Sequence, residues 1–268
     1  MVRLLYEEET YRLRKMIFQV RNELGAGWNE HIYHQALKRS LEAADIPVVS
    51  KPRGRLRYRG EEIHVFEPDL VVWNKIILEL KVLPDAKGFV NEHVAQLIHY
   101  LKFFDKRLGM LVDFAPDKVR IKRVIWHPNP FQLTTKNFEL VDDLPPSLRK
   151  TAFAIRQAVE TVGRTVGSGY SDSMYRRLVE VELREQGLSL RTKVEAPAIW
   201  RNTVIAYQRT PFLVVEDQIL FHVITYAHGP VSYELARCRQ GLRNLHLPLA
   251  ILANFGYRQL QLFTLSPD

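Results

Sequence analysis

The chain contains itself twice, and this repeat limits its possible folds more than any other feature. Gly25-Ala26-Gly27-Trp28-Asn29-Glu30-His31-Ile32-Tyr33 aligns with Gly167-Ser168-Gly169-Tyr170-Ser171-Asp172-Ser173-Met174-Tyr175, 142 positions later. Pro68-Asp69-Leu70-Val71-Val72 aligns with Pro211-Phe212-Leu213-Val214-Val215, and Gly109 to Phe114 with Ala250 to Phe255, at offsets of 143 and 141. Collinear matches at one nearly constant offset mark an internal duplication. Each copy is then about 120 residues, an ordinary domain size. The boundaries read as 1–128 and 149–268. Between them, the proline-rich and polar stretch 129–148 reads as a connector.

Within the first copy, apolar spacing predicts a helix over 7–24, with Tyr11, Leu13, Met16, Ile17, Val20 and Leu24 at mostly helical spacing. Gly25-Ala26-Gly27 ends that helix, and Asn29 caps a second one running to about residue 44. Strands are expected at 55–58, 64–72 and 76–83, a helix over 90–105, and strands at 110–114 and 119–126. That order predicts a small α/β layer with a mixed sheet.

Three charged residues interrupt these strands: Asp69, Glu79 and Lys81. Ionised groups are rarely buried without a partner, because desolvation is expensive. Glu79 and Lys81, two apart on a strand, share a face. If residues 73–75 form the turn of an antiparallel hairpin, Asp69 lies opposite Glu79 on that same face. A two-residue Asn74-Lys75 turn sends the two acids to opposite faces. In the first register the face offers the hard oxygen ligands that a hydrated Mg²⁺ needs. An ion-pair network across a half-exposed hairpin is the alternative reading.

The second copy separates these readings. At the same offset it carries Phe212, His222 and Ile224 in place of Asp69, Glu79 and Lys81. The scaffold is repeated without the trio, so the trio has a task other than folding.

Bulk properties narrow the class. The net charge of +8 fits a polyanionic partner without demanding one. Cys238 is the single cysteine, which excludes an intrachain disulfide and a cysteine-based zinc cluster. No run of 18 apolar residues occurs and the N-terminus lacks a signal-peptide pattern, so a cytoplasmic protein without membrane association is expected.

Pro68-Asp69 with Glu79-Leu80-Lys81 resembles the PD-(D/E)xK nuclease pattern. Gly27-Trp28-Asn29-Glu30-His31-Ile32-Tyr33 resembles the G-x-x-E-x-x-Y signature of a small prokaryotic family within that superfamily. Gln96-Leu97-Ile98-His99-Tyr100 resembles the Q-x-x-x-Y motif of RecB-type nuclease domains. The resemblance implies two tandem restriction-endonuclease-like domains, each a small mixed β-sheet flanked by helices, the second degenerate. It also implies metal-dependent phosphodiester hydrolysis.

On that reading Asp69, Glu79 and the Leu80 carbonyl hold Mg²⁺ or Mn²⁺, and Glu30 adds a carboxylate or simply complements its helix dipole. Lys81 orients water or offsets phosphorane charge. Gln96 contacts a water or phosphate. Tyr33 and Tyr100 contact nucleic acid or pack. Arg55 and Arg57, alternating with Arg53 and Arg59, meet phosphates or keep an edge strand soluble. The expected partner is nucleic acid, probably DNA, and the fused copies imitate a two-fold dimer within a monomer. An RNA-directed nuclease and a non-catalytic nucleic-acid-binding or interaction scaffold remain as alternatives.

Overall fold

The computed structural model describes residues 4–83, 88–128, 131–136 and 138–267. It divides into two compact units. One comprises Met1–Leu56 with His64–His127, the other Arg57–Ile63 with Pro128–Asp268.

The first unit opens with α1 (Glu7–Leu24), whose first turn carries Glu7, Glu8 and Glu9, favourable at the positive end of the helix dipole. It buries Thr10, Leu13, Ile17 and Val20. Tyr11 is exposed instead of buried. Two residues from Leu13, it lies about 200° around the helix and faces away from the core. In α2 (Glu30–Ala43) the Asn29 side chain caps the helix by accepting the Ile32 N–H at 3.2 Å.

The strands that follow are β1 (Val48–Ser50), β2 (Gly54–Tyr58), β3 (Glu61–Phe66), β4 (Leu70–Val72) and β5 (Ile76–Lys81). Helix α3 (Asn91–Phe103) then leads into β6 (Leu108–Asp113) and β7 (Arg120–Ile125). The sheet order is β1-β4-β5-β6-β7, and β2 pairs with β3 as a separate ribbon. All sheet neighbours are antiparallel except β5 and β6, the parallel pair that α3 connects. The core lies between the sheet and the two N-terminal helices, where Leu13, Ile17, Leu37, Leu70, Leu78 and Met110 are fully buried.

The strand expected over 64–72 is broken. Pro68 has no N–H to give to a ladder, and the chain leaves the ribbon at Phe66 to join the central sheet at Leu70. The hairpin takes the odd loop. Val72 pairs with Ile76 and Leu70 with Leu78. Trp73 and Asn74 adopt positive φ to make the turn, and Lys75 is the extra residue.

The second unit repeats this plan. Helices α4 (Pro146–Val166) and α5 (Asp172–Glu185) precede β9 (Leu190–Arg191), β10 (Glu195–Trp200), β11 (Thr203–Arg209), β12 (Leu213–Val215) and β13 (Ile219–Ile224). Then come α6 (Ser232–Leu245), β14 (Leu249–Phe255) and β15 (Gln259–Leu265). The ribbon is β10-β11, and β13-β14 is again parallel.

Two departures from the expected boundaries appear. The connector contains a strand, β8 (Gln132–Lys136), that pairs in parallel with β15 and gives the order β8-β15-β14-β13-β12-β9; α4 also begins inside the connector. Connector residues 129, 130 and 137 lie outside the described residues. Second, residues 57–63 belong to the second unit. There Arg59 binds Glu182 in a fork at 2.6 and 2.8 Å, and Tyr58 Oη donates to the same carboxylate at 2.6 Å. No helix among the described residues is long and apolar enough to cross a membrane.

Candidate active site

Asp69 sits just before β4, where the ladder has not yet started. Its carboxylate takes over a ladder function, with Oδ2 accepting the Leu80 N–H at 2.8 Å. A buried N–H must find a partner, and this bond fixes the side chain toward β5. The Asp69 carbonyl accepts from Lys51 N at 2.9 Å and from His34 Nε2 at 3.1 Å. The residue is held from both ends.

Continuing the β4–β5 register by one step sets Glu79 opposite Asp69. Glu79 and Lys81 project to one face, and Lys81 Nζ donates to Glu79 Oε1 at 2.7 Å. Leu80 points the other way, fully buried in the core. Glu79 is 3% exposed, and its Oε2 is buried with no hydrogen-bond partner.

The electrostatics follow from that burial. Desolvation, reinforced by the nearby Asp69 carboxylate, pushes the Glu79 pKa up to about 7, against the opposing pull of Lys81. Burial works against the Lys81 ammonium, but Glu79, Glu30 and Asp69 outweigh it and hold its pKa above the ordinary lysine value. Glu30, at the start of α2, is raised first by burial and then by Asp69, while Lys81 and Lys51 pull it down. Asp69, Glu79, Lys81 and Glu30 therefore share one electrostatic field.

On α3, Gln96 Nε2 donates to Tyr100 Oη at 2.9 Å. Tyr100 is pushed up to about 12, by burial and then by the Glu79 carboxylate, with Asp69 adding to it, so this helix borders the acids. Arg55 and Arg57 are exposed on the separate β2–β3 ribbon and are not part of the cluster.

Of the two readings for Tyr33, nucleic-acid contact or packing, the structure has packing. Tyr33 is fully buried, stacked on Phe114 at 4.4 Å, with its hydroxyl donating to the Gly25 carbonyl at 2.7 Å. Tyr175 repeats the arrangement against Phe255 and Gly167. The aromatic tyrosine of this motif locks the glycine break between two helices onto the sheet.

Sequence reasoning missed Lys51, His34 and Asp113. Asp113 is fully buried and accepts from Arg120 at 2.6 Å and from Leu83 N at 3.0 Å, tying down the chain after β5. Its counterpart Asn254 binds Tyr226 N in the same way. The repeat alignment already paired these two residues, and that was the available signal.

Among the described residues no group of three or more His, Cys, Asp or Glu is arranged to hold a metal ion. Two adjacent acids are present, and Mg²⁺ characteristically uses one or two carboxylates with waters and substrate phosphate filling the remaining positions. The buried Glu79 Oε2, without a hydrogen-bond partner, is an oxygen available to a cation. The donors are all hard oxygens. The residues fit such an ion, with Asp69 and Glu79 as the direct set and Glu30 in the surrounding field.

The second unit has closed this site. His222 Nε2 lies 3.0 Å from Glu234 Oε2, Tyr226 Oη donates to the other oxygen at 3.3 Å, and Phe212 meets His222 edge to face. Burial depresses the His222 pKa, although Glu234 opposes that shift.

A family model described as the PD-(D/E)XK nuclease superfamily matches residues 7–124 and again 149–263. No curated protein matches the chain. One solved structure with partial likeness is titled "Crystal structure of SSO0001", at 22% identity and a TM-score of 0.31 over 45% of this chain. The match spans 59% of that structure's own chain. With a nuclease pattern placed on the sheet face by its hairpin register, and the family model fitting both halves, the chain belongs to the PD-(D/E)XK nuclease superfamily.

Proposed function

We propose that the first unit is a divalent-metal-dependent nuclease that hydrolyses phosphodiester bonds in DNA, with Mg²⁺ or Mn²⁺ as its cofactor. The observation that carries this reading is the convergence of Asp69, Glu79 and Lys81 on one face with Glu79 Oε2 left unpartnered. Asp69 and Glu79 would hold the cation with the Leu80 carbonyl. A bound cation supplies charge that polarises the scissile phosphate and lowers the pKa of an attacking water.

The remaining roles belong to the chain. Lys81, tethered to Glu79, brings a preorganised positive charge to where negative charge grows on phosphorus. Glu30 adds, after Glu79, to the negative field that favours the Lys81 ammonium. Gln96 and Tyr100 line the approach from α3, positioning a phosphate oxygen or water.

The second unit would serve as a structural or nucleic-acid-positioning half of a fused pseudo-dimer, since its counterpart positions are filled by Phe212, His222 and Ile224. The G-x-x-E-x-x-Y family is the subgroup we assign, on Gly27, Glu30 and Tyr33.

The test is cleavage of duplex DNA, single-stranded DNA and RNA by one purified sample in Mg²⁺ and in Mn²⁺. Asp69→Ala and Glu79→Ala should each abolish cleavage while the circular dichroism spectrum stays native. Cleavage of RNA alone would reassign the substrate. Binding without cleavage would make the chain a scaffold, and full activity in both variants would remove the site assignment.

A further inference from the structure

Both units carry a two-stranded ribbon at the same place in the repeat, and the two ribbons meet different surroundings. Each tip turns on two residues of positive φ, Arg59-Gly60 in one and Arg201-Asn202 in the other. Tyr58 corresponds to Trp200, Arg59 to Arg201 and Ile63 to Ile205 at an offset of 142. Within 57–63 two apolar side chains are covered, Tyr58 at 7% and Ile63 at 4% exposed, and Glu182 takes the Arg59 fork. The β10–β11 tip has the same kinds of side chain with no cover. Trp200 is 59% and Ile205 65% exposed, and Tyr207 stands out at 69%.

We infer that the β10–β11 ribbon is a nucleic-acid-binding element that packs Trp200 and Tyr207 against unpaired bases while Arg201 engages phosphate. The choice of ligand class rests on the nuclease reading. The ribbon's own charge supports it independently: from 192 to 210 it carries Lys193, Arg201 and Arg209 against the single acid Glu195, a net of +2. A guanidinium fork binds carboxylate and phosphate with the same geometry. Arg59 has its carboxylate, whereas among the described residues Arg201 has none and lies 4.4 Å over the Trp200 ring. Aromatic faces beside a cation are how proteins hold single strands without reading sequence. Exposed aliphatics such as Ile205 suit wedging between bases.

The outer edge of β10 is already engaged. Asn244 Nδ2 on α6 donates to the Pro197 carbonyl at 2.8 Å, and Pro197 has no N–H to offer. On β11 every residue from Thr203 to Arg209 is exposed. The ribbon therefore presents β11 and the tip outward.

The experiment is fluorescence anisotropy of a labelled 20-nucleotide single strand, as DNA and as RNA, with the full chain in EDTA so that no cleavage intervenes. Trp200→Ala with Tyr207→Ala should weaken binding by roughly tenfold or more, given the worth of one or two stacked bases. Arg201→Ala should lower the salt slope of log K by about 0.7. Both variants alter exposed side chains, and their melting temperatures should match the wild type.

Unchanged affinity and salt slope in both variants would overturn the proposal. So would a wild-type dimer in light scattering that Trp200→Ala/Tyr207→Ala converts to monomer, which would assign the ribbon to a protein interface. Ribbon-dependent binding without cleavage in Mg²⁺ or Mn²⁺ would remove the nuclease reading and leave the ribbon assignment standing. Cleavage with ribbon-independent binding would do the reverse.

Discussion

Asp69 reaches past the end of its own strand to accept the Leu80 N–H, and this bond gives its carboxylate two duties. It satisfies a buried donor, and it carries a negative charge beside Glu79. The two duties separate by mutation. Asp69→Asn retains a carbonyl oxygen for Leu80 and should keep stability within about 1 kcal/mol, whereas Asp69→Ala strands a buried N–H at a cost of about 1–3 kcal/mol. Both should lose metal-dependent cleavage. Urea denaturation paired with a cleavage assay decides it. A fully active Asp69→Asn would show that the charge is dispensable.

Glu79 predicts a pH dependence with a definite sign. Its carboxyl rises from 4.5 in the unfolded chain to about 7 in the fold. Between those values the folded state binds more protons, so without metal this group makes stability fall as pH rises from about 4.5 to 7 and level off above. The loss is at most about 3 kcal/mol for a shift of this size. Glu79→Gln should remove that component, so the wild-type minus variant difference in melting temperature, measured in EDTA, should decline across this window. Adding Mn²⁺ should stabilise the wild type increasingly as pH approaches 7, because the ion requires the ionised carboxylate. A difference that is flat in pH would refute the assignment.

Lys81 is the third member, and its removal should show in the rate and in the pH profile together. Removing one preorganised charge from a reaction centre typically costs 10²–10³ in kcat, and Lys81→Met should fall in that range. The substitution also removes the cation that lowers the Glu79 pKa. The acidic limb of the rate profile should then move to higher pH. Lys81→Arg keeps the charge and should hold the limb near its wild-type position. If Lys81→Met slows the reaction with no movement of the limb, its contact with Glu79 is not what tunes that acid.

The repeat was legible because a constant offset is a local comparison, while the hairpin register was narrowed to two alternatives that the loop length decides. The offset gave the two copies, and the period of two in strands placed Glu79 and Lys81 on one face, which Asp69 joins through the odd loop. What the sequence hid was long-range. Nothing near β8 shows that it will pair with β15, and no local signal attaches Tyr58 and Arg59 to Glu182, 124 and 123 positions away. Tyr11 shares the apolar character of the α1 stripe, but its angle around the helix turns it away from Leu13 and into solvent. For Tyr33 the sequence leaves contact and packing both open, and the repeat favours packing: Tyr175 stands at the matching position where Asp69, Glu79 and Lys81 have no counterparts.

The two tyrosines supply a final prediction, one that separates fold from chemistry. Tyr33→Phe removes only the bond to Gly25 and should cost about 1 kcal/mol, while Tyr33→Ala also loses the stack on Phe114 and should cost about 3–5 kcal/mol. Tyr175→Phe should cost about as much as Tyr33→Phe, because Gly167 and Phe255 repeat the geometry. Cleavage per folded molecule should be unchanged in both phenylalanine variants, since each hydroxyl is given to a glycine carbonyl. The check is single-turnover cleavage on samples whose folded fraction is set by near-UV circular dichroism. A tenfold loss in Tyr33→Phe at full folding would return that hydroxyl to the chemistry, and an equal loss in Tyr175→Phe would assign the loss to the scaffold instead.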